Sequence, residues 1–512
     1  MHPATHARIN PDKPACIMAS SGETITYAEL ERRANQGAHQ LRALGLQRGD
    51  VFAMLLDNEP TAFELAWSAQ RAGLYVTAIS NKLSAADILY IVQDAGAKVL
   101  IAANRFAAVA QQAAETLGVA VFLAGDAEQG LPSWRDARNA RPGTPIADQS
   151  PGADMLYSSG TTGRPKGVKP ALPEGPLDGP SPLVAMAQGL WHMDGDSVYL
   201  STSPLYHAAP LRWGMVAHRL GAVVIIMENF DAEAMLQLVA QHRVTHTTCV
   251  PTHFVRLLKL PAEVREAYDM SSLRAVVHAA APCPVPVKQA MIDWLGPVIY
   301  EYYSGTETCG ITALDSREWL EKPGSVGRAL LGTLKIVSDE GEVLGPGAVG
   351  NVYFADGPRF EYHNDPAKTA QAYNDRGWAT LGDIGQLDED GFLFLTDRKS
   401  FMIISGGVNI YPQEIENHIV THPAVADVAV IGAPDEDMGE RVVAVVEPMH
   451  WADAGPALEA ELRAFTTEVL GKLKCPRQFD FMEKLPREPT GKLMKRVLRD
   501  EYWRRAGKGS AA

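Results

Sequence analysis

Cysteine is scarce in this chain, and none of it is paired by spacing. Cys16, Cys249, Cys283, Cys309 and Cys475 are five scattered residues with no CxxC between them. That fits reduced thiols better than a disulfide framework or a cysteine-built zinc site. Long apolar runs are absent too. The stretch "GAVVIIM", Gly221 to Met227, is seven residues long, against the roughly 20 that a bilayer-spanning helix needs, so no integral membrane contact is expected. The opening "MHPATHARINPDKP" has no apolar leader core, and a cytoplasmic location is expected. Positive charge is in short supply: 47 Lys and Arg face 61 Asp and Glu, a formal net charge of −14. A nucleic-acid or anionic-membrane binder would need a basic face, so neither partner is expected. A local basic pocket for a small polyanion stays compatible with that balance. No internal repeat or low-complexity tract is visible.

The 512 residues, 46% apolar and 21% charged, have the composition of ordinary globular protein and the length of at least two domains. The first third alternates two periodicities. Thr26 and Glu29 in "TYAEL" predict a capping box and a helix to about Leu44. "VFAMLL", Val51 to Leu56, reads as a buried strand, followed by a helix from Thr61 to Ala72. Ser84 then reads as the N-cap of another helix, and "KVLIAA" as the next strand. Strands separated by such helices imply parallel sheets covered on both faces. Gly125 to Gly152 is polar connection, and "ADMLYSSG" reads as one short strand. The prolines of Lys169 to Pro182 forbid regular structure and predict a flexible loop. Past "LTDRKS", Leu395 to Ser400, the pattern changes. "VADVAVIG", "ERVVAVVE", a helix around Pro456 to Leu470 and a basic tail predict a small α+β domain.

Most of the chemistry is announced by "YSSGTTGRPKGVK", Tyr157 to Lys169. Ser158, Ser159, Gly160, Thr161, Thr162, Gly163 and Lys166 place hydroxyl donors, permissive backbone and a cation in one loop after a strand, which suits a phosphate. It is not a Walker A loop, since Arg164 follows Gly163 where that motif needs GK[ST]. A plain Ser/Gly linker is the bland alternative, and the "GRPKG" ending argues against it.

Four further segments occur in order: "YYSGTET" (Tyr302 to Thr308), "GWATLGD" (Gly377 to Asp383), "DRKSFMIISGGVNIYPQEIE" (Asp397 to Glu416) and "PREPTGK" (Pro486 to Lys492). Together with the loop they make the chain resemble, over nearly its whole length, the adenylate-forming superfamily of acyl-CoA synthetases, adenylation domains and luciferases. The resemblance implies an α/β fold. A large N-terminal domain, residues 1–396, would be built of layered parallel sheets with helices plus a distorted β-barrel element. A small, mobile C-terminal α+β domain, residues 397–512, would hinge on it near 397–401, at Asp397 and Arg398. Phe401 stands where many relatives carry an acidic or lysine hinge residue. The implied reaction joins a carboxylate to ATP, giving acyl-AMP and pyrophosphate, and CoA thiol then displaces AMP.

By the same resemblance, Thr161, Thr162 and Lys166 would hold the β- and γ-phosphates. Thr306 would meet the α-phosphate, with Tyr303 and Ser304 beside it, and Ser304 replaces a common glycine. Glu307 and Thr162 would hold Mg²⁺. Asp383 and Arg398 would take the ribose, and Ala280, Ala281 and Pro282 would lie against adenine. Lys492, rather than Lys495, would reach the reacting α-phosphate. Ser405, Gly406 and Gly407 would pass beside CoA. His207 would gate an acyl pocket lined by Trp213, Gly214, Met215, His278, Cys309, Gly310 and Ile311. A histidine at 207 reads equally as an ordinary core residue, and apolar stripes are more often core than ligand site.

"YHAAPLRW" offers no Asp for an amino-acid ammonium, and no carrier domain is expected after residue 512, so a stand-alone acyl-CoA synthetase is expected. A dicarboxylate would want a cation, for which Arg212 or His278 could serve. The preferred substrate is a medium- or long-chain or bulky hydrophobic acid. An aryl-CoA ligase for benzoate- or cinnamate-like acids is the alternative, and a non-catalytic nucleotide-binding relative the remote one. A homodimer is compatible with all of this.

Overall fold

The structure is a computed structural model that describes residues 1–158, 165–398, 401–487 and 493–507. The chain divides into two compact units. One comprises Met1–Cys249, Lys259–Val277 and Phe360–Ala370; the other comprises Val250–Leu258, His278–Arg359 and Gln371–Ala512.

In the first unit a five-stranded parallel sheet runs in the order Ala120–Leu123, Ala97–Ala102, Val51–Leu55, Tyr75–Ala78, Ala153–Asp154. Val51–Leu55 is buried along its whole length, as a strand covered on both faces must be. A second sheet contains the run His246–Cys249, Val198–Ser201, Val223–Ile226, Pro14–Met18, Thr24–Thr26. The helices begin and end where the sequence places them. Tyr27–Ala43 follows Thr26, Thr61–Ala72 stops at the left-handed Gly73, and Ala85–Asp94 is capped by the Ser84 hydroxyl.

Several expectations need correction. The box at Thr26 is half formed: its hydroxyl accepts the Glu29 N–H at 3.2 Å, but the Glu29 carboxylate turns to Arg33 at 2.5 Å. Gly125 to Gly152 holds a helix, Trp134–Asn139, capped by Ser133 and anchored by the buried Trp134. "ADMLYSSG" is two strands, Ala153–Asp154 in the parallel sheet and Leu156–Ser158 in an antiparallel hairpin with Lys166–Val168. The proline-rich loop is irregular as expected, yet it is tethered. Tyr75 donates to the Pro170 carbonyl at 2.7 Å, Arg48 to that of Pro173 at 3.2 Å, and Arg219 to that of Gly179 at 2.6 Å.

In the second unit, Ile299–Tyr303, Ile311–Leu314 and Arg328–Leu331 pair antiparallel. A four-stranded antiparallel sheet follows, ordered Thr333–Val337, Gly350–Ala355, Asp383–Leu387, Leu393–Arg398. Farther along, Val425–Asp435 pairs with Gly439–Pro448 from Val425↔Pro448 to Asp435↔Gly439. Successive residues of a strand face opposite ways, and here each face has its own core. Val428, Val430, Val442 and Val446 pack with Ile415 and Leu462 on one side, while Ala429, Ile431, Val443 and Val445 pack with Leu485 and Leu498 on the other. The helix expected to about Leu470 runs Pro456–Lys474, across a break at Gly471. Among the described residues no helix is long and apolar enough to cross a membrane.

Candidate active site

The strands Leu156–Ser158 and Lys166–Val168, which flank the expected phosphate loop in sequence, pair antiparallel. Ser158 opposes Lys166 and Tyr157 opposes Gly167 in this pairing. Ser159, Gly160, Thr161, Thr162 and Gly163 lie outside the described residues, as does the side chain of Ser158. The stem is fixed by Tyr157, whose hydroxyl donates to Asp94 at 2.6 Å. Burial, then Asp94, pushes that phenol's pKa far up, so it is a permanent donor. A Cβ on Gly167 would come within 2.9 Å of the Tyr157 ring, which explains this glycine by packing. The ammonium of Lys166 stands 5.9 Å from the Tyr362 ring, and burial, then Lys368, lowers its pKa. An anion between two such cations relieves that repulsion.

His207 is the N-cap residue of the helix Ala208–Leu220, its ring tilted against Tyr206 at 4.5 Å. Trp213 and Gly214 face inward from that helix. Trp213 meets Trp191 edge-on at 4.4 Å, and a Cβ on Gly214 would lie 2.3 Å from the Phe63 ring. Met215 and Arg212 are half-buried. Arg212 is ion-paired with Asp154 at 2.8 Å, so this expected cation is already committed.

In the second unit, Tyr303 ends its strand and donates its hydroxyl to Asp383 at 2.6 Å. Asp383 in turn lies opposite Arg398 in the ladder between Asp383–Leu387 and Leu393–Arg398. The two residues expected at the ribose are therefore cross-strand neighbours; the Arg398 side chain is outside the described set. The loop after Tyr303 is closed on itself. Ser304 donates to the Gly310 carbonyl at 2.7 Å and Thr308 to that of Thr306 at 3.2 Å, with Thr308 at φ +53°. The serine that replaces a glycine thus has a bond of its own. A Cβ on Gly305 would lie 2.5 Å from the Glu307 carboxylate, so glycine lets that acid fold back along the loop. Cys309 is buried, its thiol pushed up to about 12 by burial and then by Glu307. Gly310 and Ile311 are likewise buried, and a Cβ on Gly310 would strike the Phe354 ring. Cys309, Gly310 and Ile311 therefore pack as core in this unit.

Ala280 and Pro282 are exposed and Ala281 half-buried, in a turn that holds Ala280 at φ +75°. His278, two residues earlier, is wholly buried; burial, then Lys288, lowers its pKa well below the usual imidazole value. It is a neutral group rather than the cation a dicarboxylate would want. Ser405, Gly406 and Gly407 form a tight hairpin turn, Gly406 at φ +57° and Gly407 at φ +80°. Gly406 abuts Met438, whereas a Cβ on Gly407 would meet nothing.

Lys492 lies outside the described residues. Its rival Lys495 is buried and paired with Glu416 at 2.8 Å, its ammonium 5.3 Å from the Phe401 ring. Burial raises the Glu416 carboxyl to about 6. Asp397 accepts the Gln413 N–H at 3.0 Å, at the start of the helix Pro412–Ile419. Sequence reasoning gave no sign of the Tyr157–Asp94, Lys288–Glu301 or Glu416–Lys495 pairs, because each joins residues on separate elements and none carries a local motif.

Residues 4–359 match the family described as AMP-binding enzyme, and residues 414–492 the AMP-binding enzyme C-terminal domain. The chain is 34% identical to the long-chain-fatty-acid–CoA ligase FadD13 of Mycobacterium tuberculosis, covering 97% of both chains. It is also 34% identical to a feruloyl-CoA synthase of Amycolatopsis sp, covering 98% of both. Among solved structures, ATP-bound MatB from Rhodopseudomonas palustris superposes with a TM-score of 0.82 at 29% identity, over 98% of this chain and 99% of that one.

Proposed function

This chain belongs to the adenylate-forming AMP-binding enzymes and is an acid–thiol ligase of the acyl-CoA synthetase type, and from that premise we propose that its acid is a hydrophobic monocarboxylate. The observation that carries the proposal is the state of the two cations a second carboxylate would need. Arg212 is spent on Asp154, and His278 is buried and neutral. A dicarboxylate would bury a charge that neither of these two side chains is set to neutralise, which is costly. Relatives named for a long-chain fatty acid and for ferulate support the two hydrophobic classes, and the aliphatic one is preferred.

A carboxylate is a poor electrophile, and AMP makes it a good one. The acid oxygen attacks the α-phosphorus of ATP and pyrophosphate leaves; the CoA sulfur then attacks the acyl carbon and AMP leaves. The protein's task is position and charge. Asp383 accepts from both ribose hydroxyls, held in place by the Tyr303 hydroxyl that already binds one of its oxygens. Thr306 donates to the α-phosphate, and Lys166 with Thr161 and Thr162 receives the outer phosphates. Lys492 bridges the α-phosphate and the acid. His207 and Met215 border the acyl chain, and Gly407 lets pantetheine pass close. Glu307 and Thr162 are hard oxygen donors of the kind Mg²⁺ takes in ones and twos. The glycine that lets Glu307 fold along the loop fits that use, and the ion would neutralise phosphate charge there.

The test is carboxylate-dependent pyrophosphate release with ATP, Mg²⁺ and CoA across acetate, octanoate, palmitate, benzoate, a cinnamate, a sterol side-chain acid and a dicarboxylate. Octanoate or palmitate is expected to lead. A cinnamate in front would select the aryl reading, and a dicarboxylate in front would sink the proposal.

A further inference from the structure

Three titratable side chains that the proposed chemistry does not use are buried together in the second unit. Lys288, on the helix Val285–Leu295, holds its ammonium 2.6 Å from Glu301 Oε2, on the strand Ile299–Tyr303. His278 Nε2 lies 3.4 Å from the same oxygen. All three are nearly sealed from solvent, at 1%, 6% and 0% exposure, and neither ring nitrogen of His278 has a hydrogen-bond partner. The walls are aromatic: Phe254 meets the imidazole edge-on at 5.2 Å, and the Trp319 ring lies 5.1 Å from the ammonium. Folding alone gives no reason for this arrangement, because apolar residues of the same volume fill such a space as well or better.

The reason lies at the two ends of the cluster. Two residues beyond His278 stands Ala280, held in the left-handed region at φ +75°. A non-glycine residue stays there only when its surroundings insist. Two residues beyond Glu301, on the same face of its strand, stands Tyr303, which grips Asp383 at 2.6 Å and leads into Thr306 and Glu307. The helix bearing Lys288 is the chain between those two ends.

We propose that Lys288, Glu301 and His278 form a buried positioning cluster for the adenosine of ATP, fixing the exposed Ala280–Pro282 turn relative to Tyr303 and Asp383. The inference rests on the ATP-binding role proposed above. The cluster touches no substrate; it acts through the turn at one end and the tyrosine at the other.

The test uses the full chain with Lys288→Met and Glu301→Leu made together, removing both charges at nearly constant volume. Thermal melting and steady-state kinetics in ATP and in the best acid are then compared with wild type. The expected result is near-wild-type melting with KM for ATP raised about tenfold or more and KM for the acid little changed. Lys288→Arg, which keeps the pair, should keep most of the ATP affinity. A double variant as stable as wild type with an unchanged ATP KM would overturn the proposal. If the double variant does not fold, His278→Phe decides: a raised ATP KM supports the cluster, and an unchanged one sinks it. Wild-type protein without acid- and ATP-dependent pyrophosphate release would instead remove the reading beneath it, a separate result from active wild type with indifferent variants.

Discussion

Lys288–Glu301 and Lys495–Glu416 are built from the same parts and do different things. Each sets a lysine on a carboxylate, at 2.6 and 2.8 Å, and each ammonium has an aromatic ring near it, Trp319 at 5.1 Å and Phe401 at 5.3 Å. They differ in what stands behind the acid. Glu416 also accepts the Val430 N–H at 2.6 Å, so its pair joins the helices Pro412–Ile419 and Lys495–Arg505 to the two-faced strand Val425–Asp435. Glu301 instead belongs to the strand that ends in Tyr303 and the loop of Thr306 and Glu307. A buried ion pair is weak evidence for stability by itself. Its meaning comes from the backbone that each acid is attached to.

The sharpest way to break the comparison is to remove one partner of the second pair. Glu416→Ala leaves the Lys495 ammonium buried and alone and should cost about 3–5 kcal/mol in urea unfolding, with adenylation per folded molecule retained. A loss of rate without a loss of stability would reverse the assignment of roles. Three residues before Lys495, Lys492→Ala is expected to do the opposite: melting unchanged, and adenylation slowed about 10²–10³-fold. Thioester formation from supplied acyl-adenylate should be spared, and an equal fall in both half-reactions would remove Lys492 from the first step.

The third prediction concerns pH. The folded pKa of Glu416, about 6, lies above its ordinary 4.5, so the folded chain holds this proton more tightly than the unfolded one. Its contribution is most favourable below about pH 4.5 and is lost as pH climbs through 6, by about 2 kcal/mol in all. Wild type should show this slope and Glu416→Gln should not. The smallest effect is at the hairpin beyond Phe401. Gly407→Ala meets open space but a φ of +80°, so a loss of about 1–2 kcal/mol is expected, with KM for CoA raised and KM for ATP unmoved. Equal changes in both would make the turn merely structural.

Much of this was legible in the sequence, and the limits have physical causes. Strands such as Val51–Leu55 and helices such as Thr61–Ala72 announce themselves by unbroken hydrophobicity and by period. The order of five motifs fixed the family. What local pattern could not show was competition between partners. Glu29 has the spacing to cap Thr26 and bonds Arg33 instead. Arg212 looks like an available cation until Asp154, 58 residues away in sequence, takes it. Lys495 and Lys492 share a basic tail, and burial tells the first apart only once Glu416 is in place. Tyr303 belonged to a motif, while its bond to Asp383 joins strands 80 residues apart.

The strand Leu393–Arg398 ends with two adjacent residues that are tied to different elements. Arg398 pairs across the ladder with Asp383, and Asp397, one peptide earlier, receives the first turn of the helix Pro412–Ile419 through Gln413. The ladder to Asp383 and the seating of that helix are thus demands on two residues joined by a single peptide plane. A rotation that suits one must be negotiated with the other, and no slack residue stands between them to absorb the difference.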